Sequence, residues 1–365
     1  MISQVAIENF KSLKKVEVHT QALNLLMGLN GMGKTSFIQA LLLLMQSDKL
    51  EDQVLDLNGT LVRIGIGKDA LYQFAESEHI VFELCFPHNS AFRWNFLYQR
   101  DREKLLSENQ IAADQMAFFR SQTQLFQYIS AERIGPRDIY EASSIVVADK
   151  KQLGLLGEFA AYFINVFGQE YTVAQALRHP QATAPNLIAQ INAWMQEISP
   201  GVTINTRYLP EINKVILDYV FKHDQHKTNA FLPKNVGFGI SYVLPVVLAL
   251  LTAQENKIIV IENPESHIHP RGQAELGKLI ALAAHTGAQL FVETHSDHIL
   301  NGIRVAVKEN FIDRSQVNVL YFDKVNNERE QYTRITPIKV GQQGELSEYP
   351  KNFLDEWSNQ LFKLM

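Results

Sequence analysis

The chain has 365 residues, of which 46% are hydrophobic and 20% are charged, and its formal net charge is −5. This composition is ordinary for a globular protein of one or two domains. The acidic balance disfavours a broad nucleic-acid surface while leaving a local basic groove open. The single cysteine, Cys85, excludes a disulfide framework within the chain and is predicted to lie in a buried strand. No signal peptide is predicted, and the apolar run 240–251 is too short to span a bilayer, so the sequence favours a cytoplasmic protein.

The first part of the chain is predicted to form strands around one helix. Short apolar runs bounded by turn residues are typical of strands, and longer stretches without glycine or proline are typical of helices. In chain order these patterns predict strands at 2–7, 15–19, 23–27, 79–86, 91–98 and 128–131, and helices at 36–46 and 101–124.

The middle of the chain changes character before strands and helices alternate again. Apolar residues at helical spacing predict helices at 153–167 and 186–198. Heptads are not sustained there, so a long coiled-coil arm is not predicted. The remaining patterns predict strands at 202–208, 214–221, 258–261, 288–293, 317–322 and 332–337, and helices at 237–253, 272–285, 297–308 and 352–362.

One stretch between a predicted strand and a predicted helix has the sequence of a phosphate-binding loop. Gly28–Thr35 follows the pattern G-x-x-x-x-G-K-[ST]. Its glycines let successive backbone N–H groups point at phosphate oxygens, and the following helix adds the positive end of its dipole. Lys34 supplies a mobile charge for the β- and γ-phosphates, and the Thr35 hydroxyl is placed to ligate Mg²⁺. The predicted nucleotide-binding residues are Asn30, Gly31, Met32, Gly33, Lys34, Thr35 and Ser36.

A second candidate region follows the predicted strand 258–261. Glu262 lies at the strand end where open α/β sheets bind ligands, and it is predicted to hold Mg²⁺ directly or through water. The next position usually carries an acid that orients the attacking water, but here it is Asn263, which can hold water and cannot accept its proton. Glu265 is the nearest replacement base. The alternative for Glu262 is an ordinary surface carboxylate.

Two further groups are candidates on the same edge. His295 follows the predicted strand 288–293 and is predicted to contact the γ-phosphate, unless it is only a hydrogen-bonded loop residue. A turn with Gly237, Gly239 and Ser241 opens a helix and offers backbone N–H groups to an anion. The alternative is a purely conformational glycine turn.

Two pairs of polar residues are expected to be structural. His267 and His269 would share one face on an extended backbone, but no third and fourth ligand follows at zinc-site spacing. Arg133 and Arg137 flank a Gly-Pro pair and could reach phosphates or a partner, with ordinary salt bridges as the equal or better interpretation.

Together these motifs resemble the ABC-type ATPase heads of the SMC-like and OLD (overcoming lysogenization defect) group, often called AAA family ATPases. Residues Ile7–Ser12 are similar to the N-terminal strand and NFKS turn of this group, and Gly28–Thr35 is its phosphate loop. Residues Ile258–Pro270 are similar to its acidic strand of the form DEPE-x-H-x-HP, and Glu293–Asp297 resembles its THS segment with a switch histidine.

The resemblance implies an α/β fold of the P-loop NTPase class, namely an ABC-ATPase-like head with a mixed sheet, an N-terminal antiparallel β part and a helical insertion. It implies an N-terminal part of the head at 1–140, the insertion at 141–200 and a C-terminal part at 201–365. It also implies ATP and Mg²⁺ as ligands, with the metal at Thr35 and Glu262. Two heads would close over two ATP molecules as a homodimer, the Gly237–Ser241 turn of one facing the γ-phosphate held by the other.

The function implied by the resemblance is an ATPase whose ATP-dependent head dimerisation controls a partner effector such as a nuclease or toxin, in phage defence or DNA transactions. The sequence departs from the group in three ways that bear on hydrolysis. Glu262 replaces the commoner Asp, Asn263 replaces the commoner Glu, and the glycine turn lacks the SGG form of transporter signatures. The glutamine that usually reads Mg²⁺ is not placed, and the chain ends without room for the nuclease domain of the OLD nucleases.

Two alternative functions stay open from the sequence. The first is an ATP-binding scaffold or regulatory subunit that hydrolyses ATP slowly or not at all, which Asn263 favours. The second is an SMC-like ATPase that binds DNA directly, which the acidic balance disfavours. A transporter ATPase is least favoured, since no membrane-coupling segment or transporter-like signature is evident.

Overall fold

A computed structural model of the chain describes residues 1–47, 53–87, 90–109, 125–223, 226–350, 353 and 356–364. The chain divides into two compact units. The first unit comprises Met1–Thr123, Val317–Gly341 and Leu346–Met365. The second unit comprises Gln124–Gln316 and Gln342–Glu345.

The described residues form strands and helices throughout both units. The strands are β1 (Gln4–Phe10), β2 (Leu13–His19), β3 (Leu23–Met27), β4 (Val54–Asp56), β5 (His79–Phe86), β6 (Ser90–Leu97), β7 (Lys104–Leu106), β8 (Phe126–Ile129), β9 (Tyr140–Glu141), β10 (Val202–Leu209), β11 (Lys214–His223), β12 (His226–Lys227), β13 (Ile258–Glu262), β14 (Gln289–Glu293), β15 (Val317–Asn326) and β16 (Gln331–Lys339). The α-helices are α1 (Lys34–Gln46), α2 (Gly67–Ala70), α3 (Ala160–Phe167), α4 (Leu187–Ile198), α5 (Phe238–Leu251), α6 (Pro270–His285), α7 (Asp297–Lys308) and α8 (Glu356–Leu364).

The first unit contains an antiparallel sheet and a mixed sheet. The antiparallel sheet has the order β2-β1-β5-β6, and alternate residues of β1, such as Val5 and Ile7, are buried. In the mixed part, β3 pairs in parallel with β15, and β15 pairs with β16 as an antiparallel ribbon. All five residues of β3 are buried, as expected for a strand covered on both faces. This strand leads directly into the phosphate loop and α1.

The second unit contains a parallel sheet packed on apolar helices. β13 pairs in parallel with β14 on one side and with β8 on the other. Every residue of β13 and β14 is buried, and so is almost every residue of α5. Because the three strands are parallel, the residues that follow them, which begin at Ser130, Asn263 and Thr294, share one edge of this sheet. A separate antiparallel group is formed by β10 and β11 with the short strands β9 and β12.

Most predicted elements are confirmed, with four differences. The helix predicted at 153–167 begins only at Ala160, because Gly154 and Gly157 adopt left-handed backbone and turn the preceding segment. The predicted helix 101–124 is wrong at β7, and residues 110–124 lie outside the described residues. The predicted terminal helix 352–362 is shifted, since α8 runs from Glu356 to Leu364. Cys85 lies on β5 as predicted but is half-buried. None of the described helices has the length and apolar character needed to cross a membrane.

Candidate functional site

The phosphate loop lies between β3 and α1 in the first unit. Its glycines Gly28, Gly31 and Gly33 all have positive φ, at 136°, 75° and 102°. Gly33 is the N-cap of α1 and contributes no capping side chain, and no acidic residue lies in the first turn of this helix. The positive end of the dipole of this 13-residue helix therefore lies at the phosphate loop.

Two of the loop positions must be glycine because strands β15 and β16 pass close behind the loop. A Cβ atom at Gly28 would lie 2.3 Å from the backbone oxygen of Phe322 on β15. A Cβ atom at Gly33 would lie 2.4 Å from Oγ1 of Thr333 on β16. Both distances are too short for any side chain, so the loop keeps its shape because these residues have none.

Thr333 also bonds the loop directly. Its hydroxyl lies 2.9 Å from the carbonyl oxygen of Met32 and 2.8 Å from Oγ of Ser12, and its backbone N–H donates to the Ser12 carbonyl oxygen at 2.8 Å. Thr333 is buried, whereas Met32 is half-buried on the loop. The β16 strand thus supports the loop from behind. Sequence reasoning missed Thr333, and a lone threonine in a late strand gives no signal of this role.

The loop lysine is folded onto its own loop. Lys34 is 3% exposed, and its Nζ donates to the carbonyl oxygens of Gly28 and Leu29 at 3.0 and 2.9 Å. This places the ammonium group inside the curl of the loop, where an anion would meet it. The other predicted loop residues differ in exposure: Asn30, Gly31 and Thr35 are exposed, and Met32, Gly33 and Ser36 are half-buried.

Glu262 is the last residue of β13 in the second unit, and it is buried rather than on the surface. Its Oε2 accepts a hydrogen bond from the backbone N–H of Ala131 at 3.1 Å. Burial raises the pKa of the Glu262 carboxyl, and bonds from Ala131 and Tyr128 and the charge of Arg133 oppose that rise. The surface-carboxylate alternative for Glu262 is therefore wrong.

Asn263 and Glu265 lie in the turn that follows β13. Asn263 has φ 44°, and its N–H donates to the Glu293 carbonyl oxygen at 2.8 Å, which continues the parallel pairing by one residue. Oε1 of Glu265 accepts a bond from the backbone N–H of His295 at 2.8 Å. The structure thus brings three predicted residues, Asn263, Glu265 and His295, to the same edge within this unit, and the His295 ring is exposed.

Arg133 holds the backbone at this edge. Its Nη1 donates to the carbonyl oxygens of Glu262 and Ser130 at 2.7 and 3.0 Å, and its Nη2 donates to the Asn263 carbonyl oxygen at 2.6 Å. The salt-bridge interpretation is wrong for Arg133, because its two Nη groups bond backbone carbonyl oxygens. Its Nε has no hydrogen-bond partner among the described residues. A sequence signal existed: an arginine two residues after the predicted strand 128–131 falls at the functional edge of a parallel sheet.

The glycine turn that opens α5 exposes Gly237 but buries Ser241. Gly237 is exposed and is the N-cap of α5, without a side-chain cap among the described residues. Ser241, however, is 5% exposed, and its Oγ lies 3.0 Å from the buried Tyr219 hydroxyl. Ser241 therefore faces the interior of this unit, whereas Gly237 is open to an anion. The anion-binding role of Gly237, Gly239 and Ser241 stays a prediction.

The two histidines that follow Glu265, namely His267 and His269, make packing and helix-capping contacts. The backbone from Pro264 to His267 is a turn rather than extended, and His267 has φ 66°. Its ring packs edge-on against Phe238 at 4.8 Å between ring centroids. Nδ1 of His269 accepts a bond from the Arg271 N–H at 3.3 Å and so caps α6. Both observations agree with a structural role.

The end of β13 fits a Mg²⁺–nucleotide complex. Two buried acceptors, Oδ1 of Asn263 and Oε2 of Glu265, have no hydrogen-bond partner among the described residues, and such atoms gain from a water or ligand. Glu262 adds a buried carboxylate that a neighbouring cation would stabilise in its charged form. The described residues contain no cluster of three or more side chains that could cage a metal. This donor set suits Mg²⁺ that enters with phosphate oxygens as its other ligands.

Comparison with known proteins agrees with this geometry. The family model described as "AAA domain, putative AbiEii toxin, Type IV TA system" matches residues 23–301, which is most of the chain. The chain belongs to this AAA-domain family. A second model, described as "Protein of unknown function (DUF3696)", matches residues 312–364 of the AAA-domain protein. No curated protein matches the chain.

Two solved structures show the fold of this AAA-domain protein. A crystal structure of the SmcHead bound to the C-winged helix domain of ScpA matches with a TM-score of 0.56 and 12% identity, covering 93% of this chain and 98% of that chain. The Smc head domain with an extended coiled coil bound to the C-terminal domain of ScpA, derived from Pyrococcus furiosus, matches with a TM-score of 0.54 and 11% identity, covering 100% of this chain and 99% of that chain. The predicted α/β, P-loop, ABC-ATPase-like head with its N-terminal antiparallel sheet is confirmed.

Proposed function

We propose that this AAA-domain protein binds ATP with Mg²⁺ and hydrolyses it, and that ATP drives pairing of two heads to control a partner effector. The observation that carries the proposal is the phosphate loop: it has three positive-φ glycines, one of them the N-cap of α1, and the Lys34 ammonium group bonds carbonyl oxygens of the loop. Such a loop presents backbone N–H groups and one mobile charge to the phosphates.

The proposed roles of the residues follow their chemistry. Lys34 and the loop N–H groups would bind the β- and γ-phosphates, and Thr35 and Glu262 are the residues proposed to hold Mg²⁺. Bound Mg²⁺ would supply positive charge to the phosphates. Glu265 accepts the proton of the attacking water, because its Oε2 is unoccupied by any described donor while Oε1 is fixed by the His295 N–H. Asn263 orients that water through its own unpaired Oδ1.

A slower, regulatory form of this function is the second candidate. Asn263 stands where a stronger base is usual, and an amide cannot accept a proton at neutral pH. The protein would then bind ATP as a signal and release it by slow hydrolysis or with a partner's help. This form is distinguished from the first by turnover alone, since both require ATP binding by the phosphate loop.

Two of the comparisons support a partner protein. The matched Smc heads are described as bound to ScpA domains, which supports a head that acts with a second protein. The family description names a toxin of a Type IV TA system, which supports an effector rather than a transporter. The same proposal includes membership of the OLD group, a nuclease or toxin as effector and a role in phage defence. It also includes contact with DNA and a cytoplasmic location.

Light scattering tests ATP-driven pairing at micromolar protein, with and without Mg²⁺–ATP. The expected result is a doubled mass with ATP for the native chain and an unchanged mass for Lys34→Ala. Lys68→Ala, an exposed lysine of α2, is the matched control and should behave like the native chain. Unchanged native mass would contradict pairing. If a dimer exists without ATP, hydrogen exchange at residues 237–241 should fall on ATP addition only when Lys34 is present.

A further inference from the structure

The Arg133 guanidinium is a buried cation whose Nη donors bond backbone carbonyl oxygens of Ser130, Glu262 and Asn263. Its Nε has no hydrogen-bond partner among the described residues. Arg133 is 4% exposed, and its two Nη atoms bond the consecutive carbonyl oxygens of Glu262 and Asn263. Burial lowers the pKa of Arg133 to about 10, so the group stays charged at neutral pH. A rigid planar fork holds two neighbouring carbonyls in a fixed relation, which a lysine cannot do.

The backbone that Arg133 holds needs such support. Asn263 has φ 44° and precedes Pro264, and a residue before proline is normally restricted to extended backbone. A residue other than glycine keeps a left-handed backbone conformation only where its surroundings fix it. Here the fixing contacts are the Arg133 bond to the Asn263 carbonyl and the Asn263 N–H bond to Glu293. The direction of the Asn263 amide and of the following Glu265 depends on this geometry.

Tyr242 joins Arg133 to the glycine turn. Tyr242 lies in the first turns of α5, directly after Ser241. Its hydroxyl donates to the Ala131 carbonyl oxygen at 2.6 Å and accepts from the Arg133 N–H at 3.2 Å. Its ring lies 4.5 Å from the Arg133 guanidinium carbon, as in a cation–π pair. A shift of the helix start must therefore move the loop that carries Arg133.

The same turn also touches the segment 263–267, which follows β13, directly. A Cβ atom at Gly239 would lie 2.1 Å from the His267 carbonyl oxygen, so only glycine lets the two backbones meet. The His267 ring packs edge-on against Tyr242 at 5.0 Å between centroids. The turn and the segment after β13 are thus in contact at two places within one unit.

From these contacts we propose that Arg133 and Tyr242 are positioning residues that couple the glycine turn 237–241 to the hydrolytic residues Asn263 and Glu265. This rests on the proposed function, in which the turn of one head faces the nucleotide of the other. When the nucleotide held by the partner head reaches the turn 237–241, Tyr242 and Arg133 fix the positions of Asn263 and Glu265 in the head that carries the turn. Hydrolysis at the two sites of a dimer then becomes interdependent.

The test uses the full chain with two conservative variants. Tyr242→Phe keeps the ring and removes the two hydroxyl bonds, and Arg133→Lys keeps the charge and removes the fork. We expect kcat for ATP to fall roughly tenfold to hundredfold in Arg133→Lys and about threefold to tenfold in Tyr242→Phe. The Kd for ATP and the ATP-dependent mass should stay within about twofold of the native values, since neither residue lies on the phosphate loop.

Matched controls separate positioning from damage to the fold. Tyr208→Phe removes a hydroxyl bonded to Asn213, and Arg178→Lys removes an Nε bond to a backbone carbonyl, both in the second unit. Both controls should keep native kcat. The inference is overturned if both test variants turn over ATP at the native rate, or if ATP affinity falls in parallel with kcat. If one of the two test variants has a Tm well below that of the native chain, the kcat of the other variant tests the inference. A native chain that neither pairs nor hydrolyses ATP would instead refute the proposed function.

Discussion

The phosphate loop and the end of β13 are built on opposite principles. The loop is proposed to meet an anion with backbone N–H groups, and its shape depends on the absence of side chains at Gly28 and Gly33. The end of β13 works through side chains, and a buried guanidinium fixes its backbone. A site made of main chain is broken by adding atoms, whereas a site made of side chains is broken by removing them.

The largest expected effect comes from removing one proton acceptor at the end of β13. Glu265→Gln should lower ATP turnover by roughly 10² to 10⁴, the range for loss of a general base, while ATP binding persists. Steady-state turnover and calorimetric ATP binding measure the two quantities. Glu275→Gln on α6 is the matched control. Turnover that survives in Glu265→Gln and changes instead in Asn263→Glu would move the role to water held at Asn263.

Adding one methyl group to the phosphate loop should have the next largest effect. Gly33→Ala places a Cβ atom 2.4 Å from Oγ1 of Thr333 at a φ of 102°, so either the loop or β16 must shift. ATP affinity should fall roughly tenfold or more, because a strained positive φ and a clash add together. Gly31→Ala is the comparison: its Cβ meets nothing within 4 Å among the described residues, so only the strain at φ 75° is added. Equal losses in the two variants would contradict the steric account.

Removing the support behind the loop should have a smaller effect. Thr333→Val keeps the shape and loses the bonds to Met32 and Ser12, each worth about 1 kcal/mol net. ATP affinity should fall about fivefold, and Thr333→Ser should restore it. Thr336→Val on the same strand should leave the affinity unchanged. A Thr333→Val protein with native affinity would show that β16 does not set the loop.

The smallest expected effect concerns stability without nucleotide. Burial raises the pKa of the Glu262 carboxyl in the folded protein. The protonated carboxyl therefore adds to the free energy of unfolding below the pKa that Glu262 has in the unfolded chain, and this stability is lost as pH rises through its folded pKa. Glu262→Gln should therefore raise Tm relative to the native chain, and the gain should grow from acidic to neutral pH while hydrolysis is lost. Scanning calorimetry at several pH values measures this. A gain that is largest at low pH would contradict the sign of the shift.

The sequence predicted the parts of both regions that depend on local pattern. The place of the phosphate loop between β3 and α1 was predicted because glycine spacing between an apolar strand and a helix encodes its main-chain shape. Its nucleotide-binding residues stay a prediction. Glu262, Asn263 and Glu265 were predicted because they follow a continuous apolar run of the parallel-sheet type. The strand Leu23–Met27 and the helix Asp297–Lys308 have the bounds that the sequence predicted.

What sequence reasoning missed depends on contacts between distant segments. Thr333 reaches the loop across about 300 residues of chain, and no pattern around a single threonine encodes that. Arg133 was noticed, but its partners are carbonyl oxygens, which every residue has, so its role needs the fold. The hydroxyl of Ser241 lies 3.0 Å from the buried hydroxyl of Tyr219, a contact that its place in a glycine turn does not predict. Its anion-binding role stays a prediction.

ATP turnover by the purified native chain, measured beside Lys34→Ala, is the decisive measurement for hydrolysis at the phosphate loop. Lys34 lies inside the loop, where its Nζ donates to the carbonyl oxygens of Gly28 and Leu29, so its removal takes away the charge that would meet the phosphates. We expect Mg²⁺-dependent turnover by the native chain that vanishes in Lys34→Ala. Equal turnover in both proteins, or a native chain that does not bind ATP, would contradict this expectation.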